Sequence, residues 1–100
     1  MEIRINYTKF SETDLLEIYE YISGDSFFYA DQQLDKIHER VDSLRNHSNL
    51  GRKVPEIDLE YIREIIEGNF KIIYMVVDST RIDILTIHHT SKELKILDFL

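Results

Sequence analysis

The feature that most constrains this chain is a run of three β-prone segments in quick succession between Ile62 and His88. Only Glu67-Gly68-Asn69 and Asp78-Ser79-Thr80-Arg81 interrupt it. Runs rich in Ile, Val and Tyr separated by such short polar gaps have no room for crossovers, so they predict an antiparallel meander. The strands are expected at Ile62–Ile66, Phe70–Val77 and Ile82–His88. The second, FKIIYMVV, is almost wholly apolar and belongs in the centre of a sheet. In the third, alternation puts Ile82, Ile84 and Thr86 on one face and Asp83, Leu85 and Ile87 on the other.

The chain before the meander changes period. Glu2 to Tyr7 alternates, with Ile3, Ile5 and Tyr7 on one side, as a half-buried strand does. Leu15, Ile18, Tyr19 and Ile22 then recur at helical spacing, with Ser11 as the expected cap and Gly24 as the expected left-handed end. Asp25 or Ser26 caps a second helix whose seam, Phe27, Ala30, Leu34, Ile37, Val41 and Leu44, runs to about Arg45 or Asn46. The short link between the helices implies an antiparallel hairpin packed on the sheet, and Leu50 is expected to tuck beneath it. The fold class that follows is α+β, in the order β-α-α-β-β-β, as a single domain over residues 1–100. The tail after Ser91, with Leu94 and Leu97 on one side, reads as a short helix or an extended arm.

Composition narrows the function. A formal charge of −7 argues against broad adhesion to nucleic acid, which depends on Lys and Arg displacing counterions. Residues 1–50 carry five basic and ten acidic side chains, residues 51–100 seven and nine, so any basic site is local to the second half. The absence of cysteine removes disulfides, zinc thiolates and thiol nucleophiles. No glycine-rich phosphate loop is present, and the four histidines are dispersed except for the adjacent His88 and His89, so neither cofactor nor metal is expected. The alternating N-terminus does not resemble a signal peptide, and no apolar run is long enough for a membrane span, which together suggest a cytoplasmic protein without membrane contact.

Several short motifs in this order carry a family likeness: Leu15, Ile18 and Tyr21-Ile22 on the first helix, then Gly51-Arg52 and Val54-Pro55-Glu56. Arg63-Glu64, Phe70-Lys71-Ile72 with Tyr74, and the closing Ile82 to His88 complete the set. With these the chain resembles the RelE/ParE superfamily of toxins from bacterial type II toxin-antitoxin modules. The resemblance implies a toxin restrained by a cognate antitoxin, with DNA gyrase as target in ParE-like members and ribosome-bound mRNA in RelE-like ones. A homodimer is also compatible with it.

For an endoribonuclease, chemistry through the 2′-hydroxyl needs a base, an acid and a cation for the developing phosphorane charge. The candidates are Arg63 and Lys71 as cations, Glu56 as base and His88 as proton carrier, with Tyr74 and His89 nearby. Each has a plainer reading: Arg63 paired with Glu60 or Glu64, Lys71 reaching water from an apolar strand, Glu56 bracing its loop, His88 a packing residue and Tyr74 core. The acidic charge and the ending HTSKELK, which lacks the Arg-Tyr or His-Tyr close of several such ribonucleases, favour the ParE-like branch, where a protein target is bound. Arg52, Lys53, Arg63, Lys71, Tyr74, His88 and His89 are then the candidate contacts to target or antitoxin, with Phe28 and Tyr29 or Phe99 and Leu100 as apolar anchors or as core. A degenerate, non-toxic binding protein is the third possibility.

Overall fold

The computed structural model describes residues 2–92. The chain runs β1 (Arg4–Tyr7), α1 (Lys9–Ser23), α2 (Phe27–Asp42) with a 3-10 turn at Ser43–Arg45, then β2 (Arg52–Lys53), β3 (Ile62–Glu67), β4 (Phe70–Asp78) and β5 (Arg81–His89). One five-stranded sheet forms in the order β1-β5-β4-β3-β2. Only β1 runs parallel to its neighbour; the other pairs are antiparallel, so the expected α+β class and central position of β4 both hold. No helix among the described residues is long and apolar enough to cross a membrane. The tail with Leu94, Leu97, Phe99 and Leu100 lies outside the described residues.

Local chemistry explains the departures from the sequence reading. The cap of α1 is Thr8 rather than Ser11, and the helix begins at Lys9. Thr8 Oγ1 accepts from the Ser11 amide at 3.2 Å and donates to the Ile84 carbonyl at 2.7 Å, so one hydroxyl closes the helix and ties it to β5. Ser11 is instead fully buried and donates its own hydroxyl to the Thr8 carbonyl. Gly24 is right-handed, with φ −57°, and ends α1 without a left-handed residue. Ser26 caps α2 as expected. Leu50 is exposed and not tucked under the helices, and the two-residue β2 is too short to show a period in sequence.

The alternation of β5 is broken. Ile73 pairs with Thr86 but Tyr74 pairs with Ile84, which leaves Leu85 as an extra residue. Ile87 is thereby returned to the face of Ile82 and Ile84, and all three join Leu15, Ile37, Val41, Leu44, Ile65, Ile72 and Tyr74 in the core beneath the helices. Leu85 enters a second, smaller core with Val54, Ile62 and Ile73 on the other face. Each fully buried Ile or Leu contributes about 1.5–3 kcal/mol of transfer free energy, so the larger cluster dominates the stability.

Past Tyr7, which pairs with Ile84, β1 stops, and among the described residues no strand continues along that side of β5. The Asp14 carboxylate of α1 takes its place: Oδ2 accepts from the Ile87 amide at 2.9 Å and the Thr86 hydroxyl at 2.7 Å. At the other end of β5, Arg81 grips Asp83 through two 2.9 Å bonds, and Asn6 of β1 adds one of 3.1 Å. The Arg81 hydrogen bonds and those of Asn6, set against partial burial, hold the Asp83 carboxyl below its ordinary value.

A depressed carboxyl pKa stabilises the fold above the unfolded value and is lost as pH falls through the folded one. Asp83→Asn is therefore expected to lower stability at neutral pH by about 1–2 kcal/mol, discounted for the solvent around Arg81. Urea unfolding at pH 7 and pH 3 checks this, and the deficit should shrink at the lower pH.

Candidate functional site

The alternation of β3 and β4 sorts the charged side chains onto two faces. Ile66 pairs with Lys71, which pairs with His88; Glu64 pairs with Arg52 on one side and Ile73 on the other. These residues share the face away from the helices. At its centre Glu64 is buried, its side chain only 2% exposed, and its Oε1 receives Arg52 Nε at 2.7 Å. Lys71 Nζ stands 3.7 Å from Oε2, an ion-pair separation rather than a hydrogen bond. One buried carboxylate thus neutralises two of the candidate cations.

His88 is half-buried beside Lys71. Burial and the Lys71 ammonium push its imidazole below the ordinary 6.5, while Asp14 and Glu64 pull in the opposite direction and Lys92 adds to the lowering. The neutral ring is favoured, as for a proton acceptor rather than a standing cation. His89 falls on the helix side, edge-on to Phe70 at 5.6 Å and bonded through Nδ1 to the Ser91 hydroxyl and amide.

Arg63 does not join Lys71 and His88. Its cross-strand partner is Tyr74, on the helix side, where NH1 donates to the Gly51 carbonyl at 2.8 Å and NH2 to Glu60 at 3.3 Å. Lys53, its other neighbour, is held by Asp58 at 3.1 Å and Glu60 at 3.4 Å. Tyr74 is core: its hydroxyl donates to the Ser48 carbonyl and accepts from the Gly51 amide, both at 2.9 Å. Burial raises its pKa, against the opposing pull of the Gly51 amide and Arg63. Gly51 is obligatory here, since a Cβ would lie 2.5 Å from the Glu64 carbonyl and 2.8 Å from the Tyr74 hydroxyl. Glu56 is exposed on the turn of residues 55–57, in none of these networks.

The structure therefore brings together Arg52, Lys71 and His88 around Glu64 and sets Arg63, Lys53, Tyr74 and His89 on the opposite face. Sequence reasoning overlooked Glu64 as a centre. The signal was available: the two-residue turn Gly68-Asn69 fixes the pairing of β3 with β4, and in that register Arg63 and Lys71 fall on opposite faces. Among the described residues no group of three or more His, Asp or Glu side chains is placed to hold a metal ion.

Comparison with known proteins gives three results. A family model described as the ParE toxin of the type II toxin-antitoxin system parDE matches residues 5–94. No curated protein matches by sequence. Among solved structures, the chromosomal ParDE system of P. aeruginosa superposes with a TM-score of 0.69 at 23% identity, covering 87% of this chain and 95% of that one. The RelBE2 toxin-antitoxin complex of Mycobacterium tuberculosis gives 0.64 at 17% identity, covering 89% and 99%. At these identities the two structures speak for the fold.

An imidazole that resists protonation in the fold loses stability as pH falls through 6.5 toward its folded pKa. An NMR titration of the ring nitrogens is expected to place His88 below that value, with Lys71→Ala moving it up and Glu64→Gln moving it further down.

Proposed function

Since the chain belongs to the ParE toxin family of type II toxin-antitoxin systems, we propose that it arrests growth by binding a protein target such as DNA gyrase and is released from that role by a cognate antitoxin. The observation that carries the choice of mechanism is the buried Glu64 carboxylate. Phosphodiester cleavage needs cations free to meet a dianionic phosphorane. Here Arg52 and Lys71 already face a carboxylate, Arg63 points to the other side of the sheet and Glu56 stands apart on its turn. Such a set favours recognition over catalysis.

The helical hairpin supports a protein partner. Residues 9–42 carry nine acidic and three basic side chains, almost the whole charge surplus of the chain. Phe28 and Tyr29, which the sequence left between anchor and core, are 69% and 62% exposed, and Tyr21 is 84% exposed. Exposed aromatics are the residue types that anchor protein interfaces. A basic, apolar antitoxin segment complements this surface, and both similar structures are of toxin-antitoxin systems.

An mRNA endonuclease of the RelE type is the second reading, favoured by Lys71 and His88 being direct cross-strand partners. Expression of the chain alone in a bacterial host, scored for supercoiling and for translation, separates the readings. The first expects arrested growth with loss of gyrase supercoiling and intact mRNA. Cleavage of mRNA by purified protein in a translating extract, abolished by Lys71→Ala or His88→Ala, would establish the second; no growth defect would mean a degenerate binding protein.

A further inference from the structure

Under the hairpin the buried seam of α2 begins at Ala30, whereas the three residues before it on the first turn, Phe27, Phe28 and Tyr29, are 69%, 69% and 62% exposed. Phe27 belongs to that seam by period, yet neither α1 nor the sheet covers it. Across the link of residues 24–26, Tyr21 in the last turn of α1 is also exposed. Exposed apolar residues scattered singly are ordinary, but four aromatics gathered at one tip of a domain mark an interaction surface. We infer that this tip is a knob that enters an apolar socket, rimmed by Lys or Arg, on the folded protein target. Such a socket presupposes the toxin reading above and adds to it the surface through which the target is met.

Shape and charge select that occupant. At 3.6 residues per turn successive side chains stand about 100° apart, so Phe27, Phe28 and Tyr29 together span roughly 200° of the helix surface. The Phe28 and Tyr29 rings meet edge-on at 5.5 Å. A flat surface or an extended segment covers one side of such a turn, whereas a concave pocket on a folded protein covers all of it. From Phe10 to Asp35 the chain carries seven acidic side chains and no Lys or Arg. Of these, Glu20, Asp25 and Asp31 flank the tip, are exposed and enter no ion pair among the described residues. Like charge opposes docking against the tip of a second copy of this chain, and opposite charge favours a basic rim around the socket.

The test uses the full chain and two readouts, growth arrest on expression in a bacterial host and binding of the purified protein to purified DNA gyrase. The variants are the pair Phe27→Ala with Phe28→Ala, the pair Glu20→Lys with Asp25→Lys, the conservative Phe28→Tyr, and Tyr61→Ala, an exposed aromatic of the loop before β3. Urea unfolding establishes that each is folded. The alanine pair is expected to abolish arrest and to weaken gyrase binding by at least about thirtyfold, and the lysine pair to weaken it by about tenfold. Phe28→Tyr and Tyr61→Ala should match the natural chain. Should the alanine pair not fold, the lysine pair decides. A folded alanine pair that still arrests growth, a lysine pair that binds as tightly as the natural chain, or an equal loss in Tyr61→Ala would each overturn the knob and leave the toxin reading standing. Arrest that depends on the tip without any binding to gyrase refutes gyrase as the target and supports the knob; a natural chain that arrests nothing refutes the toxin reading and the knob with it.

Discussion

The Glu64 carboxylate is the constraint on which the sheet's open face depends. A charge this deeply buried is costly unless it is paired, and removing one partner of such a pair leaves the other uncompensated. Glu64 meets that demand from two directions, Arg52 on β2 and Lys71 on β4. The two-residue β2 is therefore more than a loop that brushes an edge, since it brings in the guanidinium that the centre of the face requires. The same strand pair fixes Gly51, whose amide and carbonyl serve Tyr74 and Arg63 on the other side of the sheet. Side chains of β3 and β4 on the helix side thus converge on a glycine that has no space for a side chain.

A second carboxylate settles how the helices meet the sheet. β1 covers only part of β5, and Asp14 completes the edge with a side chain where a backbone would otherwise be needed. Burial raises the Asp14 carboxyl pKa, while the Ile87 amide and the Thr86 hydroxyl counter it, Glu17 adds to the rise and His88 counters again. This edge lies under the hairpin that carries the excess acid of the chain. Charge is therefore segregated by element: the helices expose carboxylates and aromatics, and β2 to β5 hold their Lys and Arg side chains against carboxylates.

The parts of the fold legible in sequence were those set by local pattern. Gly68, at φ 58° in the β3–β4 turn, and the apolar run of β4 announced the meander, and the α2 seam announced the hairpin. What escaped was set by distant contacts. Thr8 outcompetes Ser11 as a cap because it also reaches the Ile84 carbonyl across the sheet. The bulge at Leu85 moves Ile87 to the helix face, an inversion that an uninterrupted alternation cannot foresee. Of the candidate site residues, Lys71 and His88 are cross-strand neighbours, whereas Arg63, grouped with them by residue type, lies on the opposite face as its parity requires. The pairing of Arg63 with Glu60, its plainer reading, is what the structure contains.

The central claim is that the cations of the open face are neutralised from within, so the protein has no standing affinity for a phosphate backbone. Fluorescence anisotropy with a short single-stranded RNA at physiological salt tests it most directly. The account requires no measurable binding by the natural chain at micromolar protein and a gain of binding in Glu64→Gln, where Arg52 and Lys71 are released. Micromolar binding by the natural chain, unaltered by Glu64→Gln, would contradict it.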